Sequence, residues 1–160
     1  MTQQKPSLLS SIILFLVIIA LFSLSGILFP SDLIWYNTLA EPDWLPSSNL
    51  IAIIWFVLYA LIALAVVVLQ KTIGLDNLNH SWYLLFVINY VINQAYTFIL
   101  SIQKDLSLAF YDCLATAIST LLLLLYTGKY SRWAALLLIP YLVWSCLTTY
   151  MSWVIYQINL

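Results

Sequence analysis

Long apolar runs, separated by short polar segments, dominate the hydrophobic pattern of this chain. Crossing the hydrocarbon core of a bilayer takes a helix of about 20 mostly apolar residues. Five runs meet that requirement, at residues 8–29, 49–69, 81–102, 106–126 and 131–158. The pattern therefore predicts an all-α protein, an integral membrane bundle of five transmembrane helices. No repeat or soluble segment is visible, so residues 1–160 form one predicted domain.

Local signals agree with these boundaries. Pro30 ends the first run, and Ser47, Ser48 and Asn49 are typical helix-capping residues before the second. Gly128 follows the fourth run, where glycine commonly ends a helix. The first run is too long for the apolar part of a signal peptide, so we expect it to be a retained helix.

Composition supports a membrane protein and excludes some partners. The chain is 64% hydrophobic and 7% charged, whereas soluble domains carry about 25% charged residues. Its net charge is −1 and its few cations are scattered, which argues against nucleic acid as a partner. Because His80 is the only histidine and Cys113 and Cys146 the only cysteines, no metal site is predicted.

The distribution of cations predicts the orientation. With five spans, Lys5, Lys71, Lys129 and Arg132 fall on the N-terminal side of the membrane, and Lys104 falls on the other. Because cytoplasmic loops are enriched in Lys and Arg, we expect a cytoplasmic N-terminus. The loop between the first two spans would then face outward.

That loop, residues 30–47, is called the lid loop here. It contains Trp35 and Trp44 and the acids Glu41 and Asp43, and it has no Lys or Arg. In the helix that follows, Trp55 and Tyr59 are four residues apart and so share one face. An aromatic, acidic loop leading into an aromatic helix face predicts a lid over a pocket.

The third span carries a polar stripe. Asn89, Asn93, Tyr96 and Gln103 fall on one helix face and should point into the bundle. Interhelical hydrogen bonding is the simpler explanation, and we favour it for Asn89 and Gln103. For Asn93, a position in a ligand cavity is an equally good interpretation.

The last two spans add further candidates. Asp112 is the acid inside the fourth span. A carboxylate is costly there, which makes Asp112 a functional candidate. A neutral, hydrogen-bonded or interface-snorkelling acid is at least as good an interpretation. In the fifth span, Tyr141, Trp144, Thr148 and Ser152 share one face. Another three tryptophans lie near predicted span ends and fit an interfacial aromatic belt, Trp82, Trp133 and Trp153.

The order and spacing of several motifs resemble those of a known family. The motifs are Trp35-Tyr36, Pro42-x-Trp44-x-Pro46, Trp55-x-x-Leu58-Tyr59, Asn93, Arg132, Leu137-Leu138-Ile139-Pro140-Tyr141-x-x-Trp144 and Asn159. Together they resemble the TspO/MBR family, which includes the bacterial tryptophan-rich sensory proteins and the mitochondrial translocator protein, the peripheral benzodiazepine receptor. Tyr96 and Ser47 stand where many members have Trp and a second Pro, as in the Gram-positive bacterial branch.

The resemblance implies a five-helix homodimer in the bacterial cell membrane. It implies a pocket for tetrapyrroles such as protoporphyrin IX or heme-related compounds, and for isoquinoline or benzodiazepine drugs, with no cofactor required. Some bacterial members degrade protoporphyrin IX with light and oxygen. Trp55 and Trp144 match the tryptophans of that chemistry. Matches to ligand-binding positions are Trp35, Tyr36, Pro46, Tyr59, Asn93, Tyr96, Cys113, Tyr141 and Thr148.

Two other functions fit the sequence. The chain has no hydrolase or transferase constellation, so any chemistry must come from aromatic side chains or from the ligand. A small transporter of tetrapyrroles or related hydrophobic ligands is one alternative, and a non-catalytic scaffold is the other.

Overall fold

The computed structural model describes residues 6–160, and Lys5 lies outside this range. All long secondary-structure elements in the described part are α-helices. The helices are α1 (Leu8–Phe22), α2 (Leu24–Leu28), α3 (Leu33–Tyr36), α4 (Ser48–Thr72), α5 (His80–Phe98), α6 (Leu106–Gly128) and α7 (Arg132–Ile158). A wider helical turn, Ile99–Gln103, continues α5, and a short 3-10 turn, Leu75–Asn77, precedes it.

Side-chain caps fix where the long helices begin. Ser47 accepts a hydrogen bond from the Leu50 N–H at the start of α4, as the sequence predicts. Asn79, Asp105 and Ser131 do the same for α5, α6 and α7. Such caps satisfy backbone donors that have no partner in the first helical turn.

The all-α, five-span architecture predicted from the sequence is confirmed. In the described residues, α4, α5 with its wider turn, α6 and α7 are each long and apolar enough to cross a membrane. The shorter α1, continued by α2, forms the first span. The spans form a closed ring in which α1 contacts α4, α4 contacts α7, α7 contacts α6, and α6 contacts α5. The ring closes where α5 contacts α1 and α2.

The first span is interrupted, which corrects the prediction of one continuous helix at residues 8–29. The interruption lies at Ser23, between α1 and α2. There, Gln94 of α5 accepts a hydrogen bond from the Ser25 N–H (2.9 Å) and donates one to the Phe22 carbonyl (3.0 Å). Because a side chain from another helix satisfies these backbone groups, the helix can break inside an apolar bundle.

Burial bears out most of the polar stripe. Asn89 and Asn93 are 1% and 6% exposed, and Tyr96 also faces the interior. Gln103, however, is exposed, so the prediction that it shares this face is wrong. Gln103 is the last residue of the wider turn Ile99–Gln103. This turn has more residues per turn than an α-helix, so its residues do not continue the helix face that carries Asn89 and Asn93.

One tryptophan also departs from its predicted place. Trp82 is 3% exposed, and its indole Nε1 donates to Thr127 Oγ1 at 2.9 Å inside the bundle. It is therefore a core residue rather than part of an interfacial belt. Trp133 and Trp153 are exposed at 60% and 43%, as belt residues should be.

Candidate functional site

A cavity of about 420 Å³ lies at the end of the bundle that the lid loop covers. This volume falls within the usual range of small-molecule pockets, roughly 300–1,000 Å³. All five spans contribute walls: for example, Gly26 from α2, Trp55 from α4, Asn93 from α5, Asp112 from α6 and Thr148 from α7. The cavity is therefore a product of the whole bundle rather than of one helix pair.

The lid loop supplies part of the lining, as the sequence predicts. Trp35, Tyr36 and Leu45 all border the cavity. The short helix α3 presents Trp35 and Tyr36, and Asp32 caps it by accepting a hydrogen bond from the Trp35 N–H at 3.1 Å. The local fold of the lid loop thus directs Trp35 and Tyr36 toward the cavity.

Three contacts hold the lid loop to the bundle. Lys104, between α5 and α6, forms an ion pair with Asp32 at 2.9 Å, and its ammonium lies 5.6 Å from the Trp35 ring centre. Trp44 stacks on Tyr150 of α7, with ring centres 5.6 Å apart. The third contact joins Asn159, at the end of the chain, to the backbone of Ala40.

Electrostatics differ between two ionisable groups at the ends of α3, the capping residue Asp32 and the last helical residue Tyr36. The hydrogen bond from Lys104, with that from the Trp35 backbone, holds the pKa of Asp32 below its ordinary value. Burial, assisted by the negative charge of Glu41, raises the pKa of Tyr36 to about 12. Tyr36 therefore keeps its hydroxyl proton across the physiological range, and the hydroxyl can donate its one hydrogen bond either to the Glu41 carboxylate or to a ligand.

An aromatic cluster forms one wall. The rings of Trp55 and Tyr59 lie 5.6 Å apart, and Tyr59 lies 5.4 Å from Phe22 of α1. All three residues border the cavity. Flat aromatic surfaces at these separations suit the face of a planar ring system.

A hydrogen-bonded chain lies at the inner end of that wall. Tyr59 donates to Asn93 Oδ1 at 3.4 Å, and Asn93 donates to the Tyr141 hydroxyl at 3.3 Å. Tyr141 in turn donates to Asn89 Oδ1 at 3.3 Å. Asn89 completes the chain by donating to the hydroxyls of Ser119 and Thr120, both at 2.9 Å.

This chain separates the two interpretations that the sequence left open. Asn89 has its amide fully engaged in interhelical bonds and does not line the cavity. Asn93 both belongs to the chain and lines the cavity. It is therefore the amide that can reach a ligand while it is held in place by protein contacts.

The structure brings most of the predicted site residues together. Those that line the cavity are Trp35, Tyr36, Trp55, Tyr59, Asn93, Tyr96, Cys113 and Thr148. The remaining ones do not line it: Pro46, Tyr141 and Trp144. Pro46 is next to Leu45, which does, and the Tyr141 ring lies 6.1 Å from that of Trp55.

Trp144 is not on the cavity wall. Its side chain is 9% exposed and belongs to the buried core of the bundle, with an indole Nε1 that has no hydrogen-bond partner among the described residues. The family resemblance matched both Trp55 and Trp144 to the tryptophans of the porphyrin chemistry. The geometry instead gives Trp55 direct access to the cavity and leaves Trp144 within the core.

Gln94 is a structural residue that the sequence did not single out. Besides its bonds to Ser25 and Phe22, it donates to Asn93 Oδ1 at 3.1 Å. It thereby connects the break in the first span to the cavity residue Asn93. A polar residue directly after Asn93 in an apolar span was the signal that could have indicated its role. Helical periodicity, however, places Gln94 on a different face from the polar stripe.

These features define a five-span membrane protein with a lidded, aromatic small-molecule cavity. Comparison with known proteins identifies the class more closely. The sequence model of the TspO/MBR family matches residues 10–157, and the chain belongs to that family.

Three bacterial proteins are similar to this chain. It is 45% identical over 150 residues to the tryptophan-rich protein TspO of Bacillus cereus, covering 94% of this chain and 97% of the relative. It is 42% identical over 153 residues to the uncharacterized membrane protein YtaB of Bacillus subtilis, covering 96% and 98%. A tryptophan-rich protein TspO of Chlorobaculum tepidum is 28% identical over 126 residues, covering 78% and 79%.

Proposed function

We propose that this protein binds tetrapyrroles, protoporphyrin IX among them, in the cavity beneath the lid loop. The observation that carries the proposal is the wall formed by Trp55 and Tyr59, with Asn93 at its inner end. A porphyrin is a broad, flat, apolar ring whose faces stack on aromatic side chains. The Tyr36 hydroxyl and the Asn93 amide are placed to bond its polar groups.

Titration of protoporphyrin IX against the protein in lipid nanodiscs tests binding. Quenching of tryptophan fluorescence should saturate with one porphyrin per cavity. Replacing Trp55 by Phe should weaken binding about threefold, because the smaller ring keeps only part of an aromatic contact that contributes about 0.5–1.5 kcal/mol beyond burial. Trp153→Phe is the matched control, because Trp153 is exposed and outside the cavity. Equal affinities for both variants and the unaltered protein would refute the role of this wall.

Light- and oxygen-dependent breakdown of the bound porphyrin is the catalytic part of the proposal. Molecular oxygen is the oxidant, and of the two tryptophans in the described lining, Trp35 and Trp55, we place Trp55 next to the excited ring. Illumination of the aerobic complex should bleach the porphyrin faster than free porphyrin, and Trp55→Phe should slow this. If the porphyrin binds but is not bleached faster than free porphyrin, the protein has a binding or sensory role and the catalytic part of the proposal is rejected.

Trp144 requires a separate test because it does not line the cavity. If it participates, Trp144→Phe should slow bleaching while changing porphyrin affinity less than Trp55→Phe does. An equal loss of affinity in both variants would instead indicate that Trp144 supports the shape of the cavity through core packing.

Binding is better supported than transport. At its inner end, the cavity meets the bonded chain from Tyr59 to Asn89, and beyond it lies a packed apolar core that includes Ile62, Leu123 and Leu138. A transporter would have to open this region. Porphyrin flux into liposomes that depends on the protein would favour the transporter instead.

The proposal places the protein in the bacterial cell membrane as a homodimer, with a cytoplasmic N-terminus and an external lid loop. Lys71, Lys129 and Arg132 lie at the opposite end of the bundle from Lys104. A membrane-impermeant maleimide should label Glu41→Cys in intact cells and leave Asp76→Cys unlabelled, each in a background with Cys146→Ser. The reverse pattern would invert the orientation.

A further inference from the structure

We propose that the cavity also accepts aromatic cations, and that the Asp112 carboxylate is the counter-charge that selects them. This inference shares the cavity with the proposed function. It extends that proposal to a chemical class of ligand: planar aromatic compounds that carry a positively charged nitrogen.

Asp112 is an acid with no protein counter-charge. It lies in α6 and lines the cavity. Within residues 6–160 it forms no ion pair, and its Oδ2 is buried without a hydrogen-bond partner. The Asp112 side chain as a whole is partly exposed and lines the cavity. A carboxylate in a membrane bundle is costly unless it is paired, so its lack of a counter-charge points to a partner from outside the protein.

The remainder of the cavity cannot supply that partner. Among the described lining residues the acids are Asp32 and Asp112, and there is no Lys or Arg. Lys104 already neutralises Asp32. Asp112 is therefore the acid of the described lining that has no protein partner, and pairing with a cationic ligand would hold its carboxyl group in the ionised form.

The lid loop over the cavity is also acidic. The lid loop carries Glu41 and Asp43 besides Asp32, and it contains no Lys or Arg. Clefts lined by one sign of charge concentrate ligands of the opposite sign. An approaching cation would therefore meet favourable potential both at the lid and at Asp112.

The walls favour an aromatic cation over a simple ammonium ion. Trp35, Trp55 and Tyr96 border the cavity with Asp112. Aromatic faces attract cations, most strongly where water is excluded. A tricyclic aromatic ring with an amino group can stack on these side chains while its charge pairs with the carboxylate, and a volume of about 420 Å³ accommodates it.

The test compares 9-aminoacridine, a cation at neutral pH, with acridine, its neutral parent of nearly the same shape. Each dye is titrated by fluorescence against the protein in nanodiscs of zwitterionic phosphatidylcholine, with empty discs as the blank. The unaltered protein should bind 9-aminoacridine about tenfold more tightly than acridine, the scale expected of one partly buried charge pair.

Asp112→Asn keeps the shape of the side chain and removes its charge. It should weaken 9-aminoacridine binding about tenfold and change acridine binding less than twofold. Unchanged acridine binding also shows that the variant cavity is folded. Asp105→Asn is the matched control, since Asp105 caps α6 outside the cavity and Asn also caps helices well. It should leave both affinities unchanged.

Three results would overturn the inference. They are no saturable binding of 9-aminoacridine, equal affinity for the two dyes, or equal weakening in Asp105→Asn and Asp112→Asn. Protoporphyrin IX, titrated against the same samples, separates this inference from the proposed function. Its two carboxylates gain nothing from Asp112, so Asp112→Asn should bind it at least as tightly. Failure of porphyrin binding alone would reject the proposed function and leave the cation site standing.

Discussion

The side-chain amide of Asn159 forms two hydrogen bonds with the backbone of Ala40, 119 positions earlier in the chain. Its Oδ1 accepts from the Ala40 N–H at 2.8 Å, and its Nδ2 donates to the Ala40 carbonyl at 3.0 Å. This pairing imitates the contact between two neighbouring strands. It fastens the middle of the lid loop to the end of α7, the helix that also presents Thr148 to the cavity.

Replacing Asn159 by Ala should loosen the lid loop without unfolding the bundle. Amide hydrogen exchange at Ala40 should accelerate about tenfold or more, because its N–H loses a protein acceptor. Porphyrin, where bound, should dissociate faster. Gln157→Ala is the control, since Gln157 is exposed near the same helix end. Unchanged exchange at Ala40 in the Asn159 variant would show that the lid loop is held mainly elsewhere.

The Gln94 bonds predict a stability effect at the break in the first span. Gln94→Met fills similar space but leaves the Ser25 N–H and the Phe22 carbonyl without their partner. The free energy of unfolding should fall by about 1–3 kcal/mol, the cost of unsatisfied buried groups. Unfolding in mixed micelles measures it. Gln103→Met, at an exposed position of the same span, should change stability by less than about 0.5 kcal/mol.

The contact between Asn89 and Tyr141 should be energetically coupled. Asn89→Leu removes the donor to Ser119 and Thr120 and the acceptor of the Tyr141 hydroxyl, and we expect it to cost about 1–3 kcal/mol. Tyr141→Phe removes one hydroxyl from the same network. Because the two changes share a bond, their effects should not add, and a double-mutant cycle measures the difference. Strict additivity would contradict a shared network.

The ion pair between Lys104 and Asp32 makes the lid loop sensitive to salt and to strong acid. The pKa of Asp32 is lowered by Lys104, so this contribution is complete above the ordinary carboxyl pKa of 3.8 and is lost as pH falls through the lowered value. Exchange of the Trp35 amide should therefore be constant from neutral pH down to about 4 once corrected for intrinsic rates. Added salt should increase it.

Lys104→Ala provides the control for this contact. The variant should start with faster exchange at Trp35 and should lose the dependence on salt, because the pair is already absent. The same salt response in the variant and the unaltered protein would show that another group closes this side of the lid loop.

Much of the architecture could be predicted from the sequence because it depends on local properties. The lengths of the apolar runs set the number of spans. The four-residue spacing of Trp55 and Tyr59, and of Asn89 and Asn93, placed each pair on one helix face, and both pairs lie inward or along the cavity. The capping role of Ser47 could also be predicted from the sequence, since it depends only on residues within the next turn.

Other features required the tertiary structure, because they depend on which faces meet. The break at Ser23 exists because Gln94 of a distant helix satisfies its backbone, and no local signal in the first span reveals that partner. Trp82 lies in the core, where Thr127 Oγ1 accepts a hydrogen bond from its indole N–H. Gln103 turns outward because the helix widens just before it.

The sequence by itself determined a five-span membrane bundle with an aromatic, acidic lid loop and an inward polar stripe. Periodicity and hydropathy are properties of single segments, so they suffice for that. Only the packing of five helices decided that Trp55 borders the cavity while Trp144 lies in the core, and that Asp112 lines the cavity without a protein counter-charge. A helix face can point inward toward either a ligand or a neighbouring helix, and the choice is made by how closely the opposing helices approach.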